Sequence, residues 1–463
     1  MSRIMRYTEV SRRKGGIMLH RALGMPWLLT FAVVAGSAAS VRADVADALR
    51  EIAQPIEKVE DVTPLLEKIK DRRHVLLGEA SHGTHEYYVW RAGISRMLIE
   101  KGRANFIAVE GDWDAARHVH RYITHHEDAA DSAREALANF TRWPGWLWAN
   151  EEMVELVEWM REYNEERDAE KRVGFYGIDI YGYERSLEQG PGKAGALDEA
   201  LKEKMAEGFS CLARYAGDPQ AYVMATAREG VDCSTSIREL VETLREDAES
   251  WRERDRAQFL NIKQHAMVVK SAEAHFRTAI RQDAESWNVR ARHFFDTYRR
   301  LIDFYGEDEA RGIVWAHNTH IGDARATQMG DMGMLNIGQL ARQHYGQDHV
   351  AAIGFGTVRG TVIAALQWEG PRQTMTIPDP IAGTLEAAFD QIERDQAMFW
   401  MEDAKEKEAF SRRLGHRAVG VTYNPRQERQ GNFVPTVWPE RYDAFIFFRE
   451  TKALSPLAEK GGD

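Results

Sequence analysis

Cysteine is scarce in this chain: Cys211 and Cys233 are the only two among 463 residues. Two thiols cannot build a disulfide scaffold or a four-thiolate zinc site. Positive charge is not in excess either. Lys and Arg total 61 against 72 Asp and Glu, a formal net charge of −11. A nucleic-acid binder of the electrostatic kind carries the opposite balance. Past the first 45 residues no apolar run approaches the ~18 residues that span a bilayer, which excludes a polytopic membrane protein. At 44% hydrophobic and 29% charged residues the composition is globular, not disordered or fibrous. The length predicts two or three domains, or one large domain with an insertion.

What is present begins with a leader. Arg12, Arg13 and Lys14 precede an apolar stretch from Ala22 to Val41, and Val41-Arg42-Ala43 places small residues where a signal peptidase reads them. Residues 1–43 are therefore expected to be a signal peptide, cleaved before Asp44, with a periplasmic or secreted product. An uncleaved N-terminal anchor is the alternative, because the apolar stretch is 20 residues long. Ser11-Arg12-Arg13 resembles a twin-arginine start, although Gly15-Gly16 occupy positions where bulky apolar residues are usual. Removing residues 1–43 takes away seven Lys/Arg and one Glu and moves the formal charge to −17. No nucleic-acid partner is expected of so acidic an exported protein. In an oxidising compartment Cys211 and Cys233 are permitted to pair, with two free buried thiols as the alternative.

Short apolar runs of strand length recur at Val75–Gly78, Phe106–Val109, Val173–Gly177, Ile313–Ala316, Val350–Phe355, Val362–Leu366, Ala418–Val421 and Ala444–Phe448. Helical stretches separate many of them. One runs from His85 to Lys101, with Thr84 as N-cap and Gly102 closing it; another covers Glu151–Tyr163. This alternation predicts an α/β fold, a mainly parallel sheet flanked by helices. Residues 197–304 are charged, favour helix and contain no convincing strand. They are expected to form a helical subdomain between two halves of the core, 44–196 and 305–463. Trp143, Trp146 and Trp148 cluster around Pro144 and Gly145, as core or as the lining of an apolar cleft.

In an open parallel sheet, ligands bind at the carboxyl ends of the strands. Those ends run into Glu79, Ser81 and His82; into Glu110, Asp112 and Asp114; into Asp179; and into His317 and His320. His82 falls just before a helix start, where the helix dipole disfavours imidazolium and helps keep it a base. Glu79 or Glu110 is placed to fix its tautomer. Arg91, about two turns into that helix, is a candidate partner for a carboxylate or a developing oxyanion. Ser81 lies one residue off the Gly-x-Ser-x-Gly elbow of serine hydrolases. His-Glu-x-x-His is absent, as are a phosphate-binding loop and a dinucleotide fingerprint. Two His-x-x-His pairs, His82/His85 and His317/His320, could ligate a metal with Glu79 or Glu110. The expectation is nevertheless a site with no metal or cofactor.

Leu77-Gly78-Glu79-Ala80-Ser81-His82-Gly83-Thr84-His85-Glu86 followed by Arg91 resembles the opening motif of the erythromycin esterase-like family. Val109-Glu110-Gly111-Asp112, Trp148 to Glu152, Gly174 to Tyr181, His317-Asn318-Thr319-His320-Ile321-Gly322-Asp323-Ala324 and Glu440 to Phe445 continue the resemblance in order. It implies an α/β core with a helical subdomain and a deep cleft. It also implies hydrolysis of a macrolide lactone by a water that His82 activates, with antibiotic resistance as the outcome. Glu79, Arg91, Glu110, His317 and His320 would complete the site, and Ser81 would not be a nucleophile. One departure is visible: after Trp287-Asn288-Val289-Arg290 the family usually continues with Asp, where Ala291 stands here. The partner expected is a small-molecule ester or macrolide. A hydrolase or transferase acting on a cell-envelope or polysaccharide ester, and a non-catalytic cleft-binding envelope protein, are the alternatives.

Overall fold

The computed structural model describes residues 35–281 and 283–458, with side chains from Asp44 onward. Residues 1–34, which hold the charged start and most of the apolar leader, lie outside the described residues. The helix Ala35–Ile52 runs across the expected cleavage point and, from Val45, buries an apolar face on the body of the protein. No helix among the described residues is long and apolar enough to cross a membrane.

Eleven strands are described: β1 (Gln54–Pro55), β2 (His74–Leu77), β3 (Phe106–Asp112), β4 (Gly174–Asp179), β5 (Gly312–Trp315), β6 (Val350–Ala364), β7 (Gln373–Ile377), β8 (Gln396–Trp400), β9 (Leu414–Arg417), β10 (Phe433–Thr436) and β11 (Ala444–Thr451). The main sheet has the order β1-β8-β11-β6-β2-β5-β3-β4, with β7 paired to β6; β9 and β10 form a separate hairpin. From β11 to β4 every pairing is parallel. β8, β1 and β7 add antiparallel edges. The mainly parallel α/β sheet is thus as the continuous apolar strands imply: β2, β3, β4 and β5 are buried along their whole length, because helices cover both faces.

Three expectations change. Val350–Phe355 and Val362–Leu366 belong to one connection, with β6 running unbroken from Val350 to Ala364. Ala418–Val421 is not a ladder strand. It makes single bridges to Ser81 and, one residue on at Thr422, to Ala365. β7, whose sequence Gln373-Thr374-Met375-Thr376-Ile377 has no continuous apolar run, and β8, whose apolar residues Ala397 to Met401 continue straight into a short helix, are strands that the sequence reading does not include.

The expected helical region is present as Glu199–Ala213, Pro219–Glu229, Ser234–Glu246, Ala248–Ala279 and Glu285–Tyr305. Its longest helix is broken at Asp255, whose carboxylate accepts the Gln258 N–H and restarts it. Cys211 and Cys233 are disulfide-bonded, tying the first of these helices to the start of the third. One apolar core runs through both parts: Leu76, Phe106 and Tyr176 of the sheet share it with Phe259, Ile262 and Phe294 of the helices.

Candidate active site

The carboxyl edges of β2, β5 and β6 are knitted together by backbone. Gly78 N–H donates to Ile353 O, Ala316 N–H to Leu77 O and Asn318 N–H to Glu79 O. Gly78 is required for this approach, because a Cβ there would lie 2.0 Å from Asn318 Oδ1. The chain then turns through Gly83, at φ +74°, a left-handed conformation that glycine adopts without strain. His82 N–H donates to Val419 O and Val419 N–H to Ala80 O, so the 418–423 segment clamps the turn that carries the histidine.

His82 and Glu79 form a buried pair. Nδ1–H of His82 donates to Glu79 Oε1 at 2.7 Å, and Arg91 donates to Glu79 Oε2 at 3.1 Å. Nδ1 is thereby committed, and Nε2 is the ring nitrogen left for the cleft that His82 lines. Burial pulls the His82 imidazolium down, but the charge and hydrogen bond of Glu79, with Glu110 adding to them, outweigh it and leave the pKa raised. That reverses the expectation from the helix dipole: two buried carboxylates decide the balance.

Arg91 does not reach the cleft. It is fully buried, with its guanidinium 4.4 Å from the Tyr88 ring centroid and 4.7 Å from that of Trp315. The oxyanion role suggested by its sequence position is therefore corrected: Arg91 braces Glu79 from behind. Two guanidiniums line the cleft, Arg142 and Arg290, and Arg290 is the one beside Glu110. It donates to Asp179 at 2.9 and 2.6 Å and to Glu110 at 2.8 Å, and its Nη1 lies 3.3 Å from His320 Nε2. In the sequence Arg290 stands out only as part of Trp287-Asn288-Val289-Arg290. Its position early in the last helix of the strand-free region gives no sign that it pairs with strand-end acids. Ala291, the departure beside it, is buried and off the cleft wall.

Glu110 sits at the centre. One oxygen accepts from Arg290, with His320 Nε2 at 3.2 Å, and the other accepts the His317 backbone N–H at 2.9 Å. Burial would raise its pKa, but the His320 and Arg290 charges hold it well below the usual carboxylate range. His317 Nε2–H donates to Ala80 O, and Nδ1 accepts from Thr319. Burial, then the nearby His82 charge, pushes its pKa well below the usual imidazole value. Both nitrogens of His317 are committed, so it supports the turn instead of donating to substrate. His320 stacks parallel on Trp287 at 4.8 Å and has a buried Nδ1 without a hydrogen-bond partner. Of the two histidines, it is the one with a nitrogen to offer.

Ser81 is fully buried, and its Oγ lies 2.6 Å from Thr84 Oγ1. Thr84 stands at the N-cap as expected, yet its side chain caps nothing; the His85 N–H is served by Lys452 O. His85 turns away from His82 and pairs with Glu152 at 2.6 Å. Asp112 is held by Arg142 at 2.8 Å through both oxygens, and Asp114 faces Arg185 and His265 outside the cleft lining. No group of three or more His, Cys, Asp or Glu among the described residues is arranged to hold a metal ion. Trp146 and Trp148 are core, though Trp148 also lines the cleft and donates to Glu110 O.

Imidazoles, carboxylates and a guanidinium converging at the carboxyl edge of a parallel sheet, over a cleft of about 620 Å³, define an α/β protein with an acid–base site of enzyme type. The chain belongs to the erythromycin esterase family, whose sequence profile matches residues 99–451. Erythromycin esterase type II of Escherichia coli is 29% identical over 130 residues, which is 28% of this chain and 29% of that protein. Solved structures share the fold. A Bacillus cereus protein superposes with a TM-score of 0.75 at 19% identity, covering 90% of this chain and 99% of its own. A succinoglycan biosynthesis protein gives 0.71 at 18%, with coverages of 90% and 99%. An erythromycin esterase mutant in its open conformation gives 0.62 at 17%, with coverages of 88% and 97%.

Proposed function

We propose that this protein is an exported esterase that opens a macrolide lactone with water, and that it lowers the antibiotic concentration reaching its host. The observation that carries the mechanism is the His82–Glu79 pair, with Nδ1 fixed at 2.7 Å and the other edge of the ring in the cleft. His82 Nε2 takes a proton from water as the oxygen attacks the ester carbonyl carbon. Glu79 holds the tautomer and stabilises the imidazolium that forms. Arg290, with His320 beside it, faces the negative charge that develops on the carbonyl oxygen. The tetrahedral intermediate then expels the alkoxide, which His82 protonates. A general base of this kind contributes roughly 10²–10⁴-fold and a charge-stabilising donor roughly 10²–10³-fold.

Family membership and the partial likeness to an erythromycin esterase support a macrolide as substrate. The likeness to a succinoglycan biosynthesis protein favours an envelope or polysaccharide ester as the second reading. Mass spectrometry of a macrolide incubated with the purified protein tests the first: the expected product carries one added water. An unchanged macrolide, with turnover of acylated polysaccharide instead, moves the assignment to the second. The export signal predicts a mature chain beginning at or near Asp44 in the periplasm or medium of the native host.

A further inference from the structure

The cleft has an outer wall that the chemistry at its floor does not use. The connection from β6 to β7, residues 365–372, reaches over the cleft, and Gln367 and Trp368 line it. Trp368 is 41% exposed, and Leu366 beside it is 47% exposed. Large apolar side chains this exposed are few among the described residues, and two of them share this one hairpin. A cluster of this kind at a cleft mouth marks a contact surface.

The wall is built to stay in place. The Trp368 ring stands edge-on to Trp143 at 4.7 Å and to Tyr181 at 6.0 Å between centroids. Trp143 Nε1–H donates to Gly370 O at 3.1 Å, tying the hairpin tip across to the opposite side. At the hairpin base Ala365 N–H donates to Val421 O and Tyr423 N–H to Ala365 O. That 418–423 segment is the one that clamps His82. Inward, Tyr181 lies 4.8 Å from the Arg290 guanidinium. Aromatic surface therefore runs without a break from the reaction centre to the mouth. Charge beside the wall is already matched: Arg142 is bidentate on Asp112. What remains on offer is ring area, which suits an apolar ligand face.

We propose that Trp368 is the specificity-determining residue of this cleft. Its exposed face packs on the bulky apolar part of an ester whose carbonyl sits at His82, so the site favours large lipophilic esters over small ones. This rests on the reading of the cleft as an ester-hydrolase site. Trp143 and Tyr181 act through Trp368 by holding its ring.

The test uses the full mature chain, with Trp368→Ala and Trp368→Phe. Substrates are p-nitrophenyl acetate, the p-nitrophenyl ester of a bulky alicyclic acid, and a macrolactone. Trp368→Ala is expected to lower kcat/KM for the two bulky esters by about 10- to 100-fold, mainly through KM, and for acetate by no more than about threefold. Trp368→Phe is expected to recover most of the loss. Equal losses on all esters, or no loss on any, overturn the proposal. If no ester is turned over, the hydrolase reading fails, and equilibrium dialysis of the macrolactone then decides the role of the wall. Weaker binding by Trp368→Ala than by the parent supports it. Equal binding, or binding by neither, overturns it.

Discussion

Two imidazole–carboxylate pairs in this protein have the same build and opposite character. His82 gives Nδ1–H to Glu79 at 2.7 Å, and His416 gives Nδ1–H to Glu386 at 2.9 Å. Both carboxylates are buried. Yet the His82 pKa is raised and that of His416 is lowered. Burial lowers both, so neighbours make the difference. Around His82 a second carboxylate, Glu110, adds to Glu79 and exceeds the opposing charge of Arg91. Around His416 the guanidiniums of Arg441 and Arg417 oppose Glu386, and Glu386 also accepts the Arg417 backbone N–H. His416 has no exposure, and its Nε2 faces Asn318 at 3.4 Å, whereas His82 opens to the cleft. A histidine–glutamate pair is therefore not in itself a base; surplus carboxylate and access to solvent make it one.

Alanine at each histidine breaks this comparison most strongly. His82→Ala is expected to lower kcat/KM by about 10²–10⁴-fold with little change in the denaturation midpoint. His416→Ala is expected to cost about 3 kcal/mol of stability, because Glu386 loses its partner while buried, and to leave kcat/KM of the folded fraction within a few-fold. Urea unfolding and steady-state rates on both variants read this out. Equal catalytic losses at the two sites would remove the distinction.

A smaller step sharpens the first pair alone. Glu79→Gln keeps the shape and removes the charge that raises the His82 pKa. The base must be neutral, so kcat/KM of the parent should climb with pH through a value above the usual 6.5 of histidine. In Glu79→Gln that limb should move to lower pH. The plateau should fall by about 10- to 100-fold, because the amide no longer favours the imidazolium formed in the transition state. An acid limb in the same place as the parent would show that Glu79 does not set it.

How much of this was legible in the sequence follows from physics that acts locally. Strands buried on both faces leave continuous apolar runs, so β2 to β5 and the acids and histidines at their ends could be read directly. β6 reads as two strands because Gly356, Thr357, Arg359, Gly360 and Thr361 interrupt its apolar pattern; Gly356 makes room for Phe445, which a Cβ there would approach to 2.7 Å. Ala418–Val421 has strand composition, but it covers the turn that carries His82 instead of joining a ladder. Arg91 and Arg290 are both mid-helix arginines near site motifs. Whether such a helix face meets the back of a carboxylate or the open cleft depends on packing between distant segments, and no local spacing records that.

The helical region offers a contrast in what holds the site up. There the Cys211–Cys233 bond closes a separation of 22 residues outside the cleft lining, a loop worth about 3 kcal/mol on the chain-entropy model. Cys211→Ser with Cys233→Ser should lower the unfolding free energy by up to that amount while kcat/KM changes less than about twofold. A large loss of kcat/KM at unchanged stability would instead tie the bond to the positioning of Arg290.

The smallest effect is expected at Ser81, immediately before His82. Its hydroxyl has the chemistry of a nucleophile and sits almost in an elbow motif, but the structure gives it no route to substrate. It is fully buried, and its Oγ is 2.6 Å from Thr84 Oγ1. Its own turn is pinned by a bridge to Val419. Attack by Ser81 would require that turn to open and would carry His82 away from Glu79. Ser81→Ala should therefore keep most of the turnover and lose about 1 kcal/mol of stability for the missing hydrogen bond. With water as the attacking group no acyl-enzyme accumulates, so added hydroxylamine should not divert product. An ester trapped on Ser81, or a Ser81→Ala protein as inactive as His82→Ala, would make the serine the nucleophile and His82 its base.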